Sequence, residues 1–113
     1  MDLTIDVSQQ GDWTILVLTG ELDLYTSPTV RSEVHAAAGA DRRVALDLSD
    51  VTFIDSSGLG AIVGGLKHVR ETGGDFAVIA PPAGSLTRML TLTGLDQVVQ
   101  PVGSRDELES NGR

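Results

Sequence analysis

A chain of 113 residues with 41% hydrophobic content forms one domain around one core, and scarce aromatics (Trp13, Tyr25, Phe53, Phe76) leave that core to aliphatic side chains. Cysteine is absent, which excludes disulfides, zinc thiolates and cysteine nucleophiles together. The formal net charge of −8 opposes binding to a nucleic-acid backbone and favours solubility and a partner with a basic surface.

The first ten residues lack a basic region followed by an apolar stretch, so no secretory signal is expected. Nothing approaches eighteen unbroken apolar residues, so no membrane span is expected either. The default is a soluble cytoplasmic domain without a cofactor.

Leu3-Thr4-Ile5-Asp6-Val7 alternates apolar and polar, as a half-buried strand does. Gln9-Gln10-Gly11-Asp12 is a turn, which predicts an antiparallel return along Trp13–Thr19. Ile15-Leu16-Val17-Leu18 is apolar at consecutive positions, implying that this strand is covered on both faces. Gly20-Glu21-Leu22-Asp23-Leu24-Tyr25 leaves the strand, and Thr26-Ser27-Pro28 signals a helix start, with Pro at the first helical position. That helix turns Val30, Val34, Ala37 and Ala38 inward and stops near Gly39. His35 reads as a surface or boundary residue, because no second ligand is spaced to join it.

Arg43–Leu48 reads as a strand with Val44, Leu46 and Leu48 on one face and Ala45 and Asp47 on the other. Ser49-Asp50 reads as a short break. Val51–Val63 follows, an apolar run ending in Asp55-Ser56-Ser57-Gly58, then a helical pattern with Leu59, Ile62, Val63 and Leu66 recurring on one face. The two hydroxyls lie where strand becomes helix. A Ser in that place is often only a cap, accepting from an unsatisfied backbone N–H. The same exposed N–H groups and the positive end of the helix dipole also suit a phosphoryl group.

This helix is expected to run to about Glu71 and to end at Gly73-Gly74. Opposite its apolar stripe stand Gly60, Ala61, Gly64 and Gly65, and each interior glycine costs about 0.8–1.0 kcal/mol against Ala. Tight packing against a neighbouring element is one explanation. A smooth surface for another protein's backbone is the other. Asp75–Ala80 is a further core strand closed by Pro81-Pro82, and Ser85–Leu92 a helix with Leu86, Met89 and Leu90 inward. Val98–Val102 reads as a last short strand, and Ser104-Arg105-Asp106-Glu107 as a capping box for a final helix, with 110–113 fraying beyond a domain of residues 1–109.

The order β-β-α-β-α-β-α-β-α implies an α/β fold with a mixed, mostly parallel sheet of four to five strands and about four helices. Sites in such sheets lie beyond the carboxyl ends of the strands. The Asp55-Ser56-Ser57 turn and Glu21-Leu22-Asp23 both lie at such ends, which makes the two loops candidate neighbours.

Enzyme motifs are wanting. Gly-x-Ser-x-Gly is missing around the serines, and His68, three turns along the same helix, is too far from Ser57 to serve it as a base. No Gly-Lys-Ser or Gly-Lys-Thr forms a phosphate loop, and the acidic residues lack the spacing of a calcium loop.

Together, Gly20-Glu21-Leu22-Asp23, Val44-Ala45-Leu46-Asp47-Leu48 and Phe53-Ile54-Asp55-Ser56-Ser57-Gly58-Leu59-Gly60 resemble a STAS domain, and within it the bacterial anti-sigma factor antagonists. The resemblance spans nearly the whole chain. It implies a phosphorylation switch, in which the unphosphorylated antagonist binds an anti-sigma factor that is also a serine kinase with its own ATP site. Binding frees a sigma factor; phosphorylation of the second serine, here Ser57, weakens the complex, and a PP2C-type phosphatase restores it. By the same resemblance Asp23 and Asp55 help present the acceptor, Ser56 has a mainly structural part, and Gly58, Leu59 and Gly60 complete the partner-binding or phosphosite-supporting set. Catalytic residues, a metal, a cofactor, nucleic acid and a membrane are not implied. The alternative within the resemblance is a scaffold or accessory subunit of a transporter or stress-signalling complex; the serine pair and Asp23 favour the sigma-regulatory branch.

Overall fold

The computed structural model describes residues 2–81, 84–99 and 101–111. Its elements are β1 (Leu3–Gln10), β2 (Trp13–Leu22), α1 (Ser27–Ala37), β3 (Arg43–Ile54), α2 (Ser56–Glu71), β4 (Asp75–Ile79), α3 (Ser85–Thr93), a 3-10 turn at Leu95–Gln97 and α4 (Asp106–Asn111). The expected α/β order is present as one four-stranded sheet, β1-β2-β3-β4. Gln10 pairs with Trp13 across the opening turn, so β1 and β2 run antiparallel. Helices α1 and α2 then carry the chain across to β3 and β4, each parallel to its predecessor.

The consecutive apolar residues of β2 are buried on both faces, as their pattern required. Leu16, Leu18 and Leu22 join Val44, Leu46 and Leu48 of β3 in a core closed by Val30 and Val34 of α1, Ile62, Leu66 and Val69 of α2, and Leu86 and Leu90 of α3. On the other face Trp13, Ile15, Ala45 and Ile79 meet Val102 and Leu108 of α4. An ion pair from Arg105 Nε to Asp47 Oδ2, 3.3 Å long, ties α4 to that face. Each fully buried Leu, Ile or Val contributes about 1.5–3 kcal/mol, so the larger cluster dominates stability.

Three expectations are corrected. Ser49-Asp50 is no break: β3 runs through it to Ile54. The register with β2 shifts twice there, between Val17 and Thr19 and between Gly20 and Glu21, so irregularities absorb the polar residues within one strand. The Asp47 carboxylate accepts from the Ser49 N–H at 3.0 Å, which stabilises the bend. The strand expected at Val98–Val102 is reduced to a single parallel bridge between Ile79 and Val102. Pro101 has no N–H to donate to a ladder, and the chain before it winds into the 3-10 turn instead. Helix α1 starts at Ser27 rather than Pro28, and its cap residue is Thr26. The final helix reaches Asn111, and Glu107 Oε2 accepts from the Gly103 N–H at 3.2 Å, a back-reaching acceptor of the capping-box kind. Expectations concerning Pro82, Gly112 and Arg113 lie outside the described residues, as does Gln100 within the expected strand.

Candidate functional site

Strands β2 and β3 end side by side, with Glu21 opposite Phe53 and Leu22 opposite Ile54. The loops they release are therefore neighbours, and one carbonyl joins them. Leu22 O accepts from the Asp55 N–H at 3.2 Å. A Cβ added to Gly58 would lie 2.6 Å from that same oxygen, 2.8 Å from Leu22 Cγ and 2.9 Å from Ile54 Cγ1. Only glycine lets the first turn of α2 come this close to the end of β2.

Helix α2 begins at Ser56, and its cap is Asp55, whose Oδ1 accepts from the Gly58 N–H at 3.0 Å. A capping serine was one reading of the sequence, and here the aspartate takes that task. Both hydroxyls are left without a hydrogen bond among the described residues. Ser56 is exposed and Ser57 half-buried, in the first turn of the helix.

The second loop is held by Asp23, only 3% exposed. Its Oδ1 accepts from the Tyr25 and Thr26 N–H groups at 2.9 and 3.0 Å, and its own N–H donates to Thr26 Oγ1 at 2.9 Å. Thr26 Oγ1 in turn donates to Glu21 O at 2.8 Å. The other carboxylate oxygen, Oδ2, is buried without a partner among the described residues. Around this end of the sheet stand exposed apolar side chains: Leu24 at 62%, Tyr25 at 79% and Phe53 at 47%.

Of the seven expected site residues, the structure brings Asp23, Asp55, Ser56, Ser57 and Gly58 to one end of the sheet through the Leu22 carbonyl. Leu59 turns into the core, and Gly60 is half-buried. The glycine face of α2 is covered by α1. Arg31 lies on it: a Cβ at Gly64 would be 2.7 Å from Arg31 Nη1, and one at Gly60 would be 3.6 Å from Nη2. Gly65 packs against Val34 and Phe76, with added-Cβ distances of 3.4 and 3.5 Å. Tight packing thus accounts for Gly65, whereas Gly64 faces only the flexible end of Arg31. One turn further on, the rings of His35 and His68 stack at 3.6 Å between centroids and 2° between planes.

Sequence reasoning missed Arg31 and the histidine pair. The signal was present: Arg31 and His35 are one turn apart on α1, Gly64 and His68 one turn apart on α2. Long side chains at that spacing fit a stripe of small ones on a parallel neighbour. Among the described residues no group of three His, Asp or Glu is placed to hold a metal, and no helix is long and apolar enough to cross a membrane.

The STAS domain family model matches residues 4–109. An anti-sigma-B factor antagonist of Bacillus subtilis is 34% identical over 101 residues, covering 88% of this chain and 90% of that one. An anti-sigma F factor antagonist of Paenibacillus polymyxa is 35% identical, covering 88% and 86%. The crystal structure of an anti-sigma factor antagonist from Mycobacterium paratuberculosis superposes with a TM-score of 0.82 at 26% identity, over 96% of this chain and 92% of that one. With its sheet order, its crossover helices and its sequence all in agreement, the chain belongs to the STAS domain family.

Proposed function

We propose that this protein is an anti-sigma factor antagonist switched by phosphorylation of Ser57. Unmodified, the end of the sheet formed by Asp23–Tyr25, Phe53 and the start of α2 binds an anti-sigma factor that is also a serine kinase. That kinase moves the γ-phosphoryl group of its ATP to Ser57 Oγ; the hydroxyl loses its proton and ADP leaves. A PP2C-type phosphatase hydrolyses the ester and returns the hydroxyl. This chain supplies the acceptor and the docking surface, and no catalytic group of its own.

The observation that carries this reading is the free Ser57 hydroxyl on a helix already capped by Asp55. A capping serine would have to give up its backbone bond to be modified; this one does not. The exposed Leu24, Tyr25 and Phe53 supply apolar area for a partner beside it. A phosphate brings about −1.5 to −2 charges at pH 7. Placed among Asp23, Asp55 and a closing partner it must be desolvated next to like charge, which opposes association. Reversing a 99:1 equilibrium takes about 5.5 kcal/mol of differential binding, a demand that a poorly compensated dianion in an interface can largely meet.

The test is incubation with candidate anti-sigma kinases and ATP, read by intact mass, peptide mapping and complex formation. One added phosphate on Ser57 with loss of the complex is expected. Ser57→Ala should bind and stay unlabelled, and Ser57→Asp should weaken binding at least about tenfold, or 1.4 kcal/mol. A Ser57→Ala protein labelled at full stoichiometry would exclude Ser57 as acceptor. Neither transfer nor binding would favour the transporter-accessory role.

A further inference from the structure

We propose that Arg31 is the positioning residue for the phosphate on Ser57, pairing with it across the glycine face of α2. The inference rests on the reading of Ser57 as acceptor and adds the group that receives the modified side chain.

Ser57, Gly60, Ala61, Gly64 and His68 share one face of α2 by their spacing of three and four residues. The Arg31 guanidinium lies on that face, Nη2 over Gly60 and Nη1 against Gly64. Positions three residues apart on a helix have Cβ atoms about 5–6 Å apart, so Nη2, over Gly60, is the guanidinium nitrogen that approaches Ser57, about one turn away, while Nη1 lies a turn further on against Gly64. Long side chains lean toward the N-terminus of their own helix. Helix α1 runs parallel to α2, since Arg31 meets Gly64 and His35 meets His68. The lean of Arg31 is therefore toward the end that carries Ser57. Ser57 leans the same way along α2, so the long side chain of Arg31, one turn behind it, is the one that reaches forward to a phosphate there.

The charge balance makes Arg31 the fitting partner. Arg31 is an exposed residue and forms no ion pair with a carboxylate among the described residues, whereas Arg43 pairs with Asp75 and Arg105 with Asp47. The other charges placed at this end of the sheet are negative: Asp55, spent on its cap, and Asp23 and Glu21, each with one oxygen buried and without a partner among the described residues. A planar guanidinium binds phosphate oxygens through two parallel N–H donors, a geometry an ammonium cannot match. Modification would then do two things to the partner surface at once. It would add an anion, and it would occupy the cation beside it.

Phosphoserine installed at position 57 during translation tests this without any kinase. Phosphorus NMR follows the second ionisation of the phosphate, ordinarily near pH 6. A paired cation favours the dianion, so the midpoint should lie lower in the wild-type background than in Arg31→Gln by roughly half a unit to one unit at low salt. Arg31→Lys should fall between. The Arg31 Nε–H resonance should move when position 57 carries phosphoserine instead of serine. Equal midpoints in wild type and Arg31→Gln, with matching circular dichroism for both, would overturn the pairing. Because the phosphate is installed chemically complete, this result is independent of whether a kinase labels Ser57, which the transfer assay decides.

Discussion

At the scale of single residues the site depends on Asp55 and Gly58, and they fail in different ways. Asp55→Ala removes the acceptor for the Gly58 N–H and should cost about 1 kcal/mol in urea denaturation, whereas Asp55→Asn keeps an acceptor and should cost much less. Gly58→Ala meets a backbone oxygen at 2.6 Å, and no flexible side-chain end can yield there. A loss of about 1–3 kcal/mol is expected despite the better helix propensity of alanine. The sequence showed Asp, Ser, Ser and Gly at a helix start, which places a cap there without saying which oxygen supplies it. What the sequence does not show is the Leu22 carbonyl, which accepts from the Asp55 N–H and anchors the cap residue beside the end of β2. It is a tertiary contact with no local signature.

At the scale of elements the packing of α1 on α2 separates two glycines that look alike in sequence. A methyl group at Gly64 meets only Arg31 Nη1, the far end of a flexible side chain. Gly64→Ala should therefore be neutral or raise stability by up to about 1 kcal/mol, measured by the same denaturation series. The strands were legible where alternation or an apolar run was clean, as in Leu3–Val7 and Ile15–Leu18. They were illegible where one strand carries its own irregularities. Ser49 and Asp50 look like a turn, but pairing with β2 on one side keeps the backbone extended through them. The reverse error occurred at Val98–Val102, where apolar residues suggested a strand and only the Ile79–Val102 bridge formed. The pairing of Arg31 with the glycine face depends on how two helices meet, and a single helix pattern does not specify its neighbour.

At the scale of the whole molecule, the sheet must be covered twice, and the second cover is thin. Leu108 of α4 and Val102 close the face formed by Trp13, Ile15, Ala45 and Ile79. Leu108→Ala should cost about 2–5 kcal/mol in thermal or urea unfolding, more than its position in a six-residue helix suggests. The double cover was readable from Ile15–Leu18 alone, whereas the identity of the covering element was not. The Leu22 carbonyl has a further consequence. It bolts the mount of Ser57 to the two central strands, so a modification there is expected to leave the rest of the fold in place. Under the proposed switch, the message is charge on a fixed support, read by a partner that touches it. Amide spectra of the serine and phosphoserine forms should accordingly superimpose beyond about one Debye length, roughly 8 Å, from the phosphate. A molecule that docks on the α4 face should therefore bind the serine and phosphoserine forms equally.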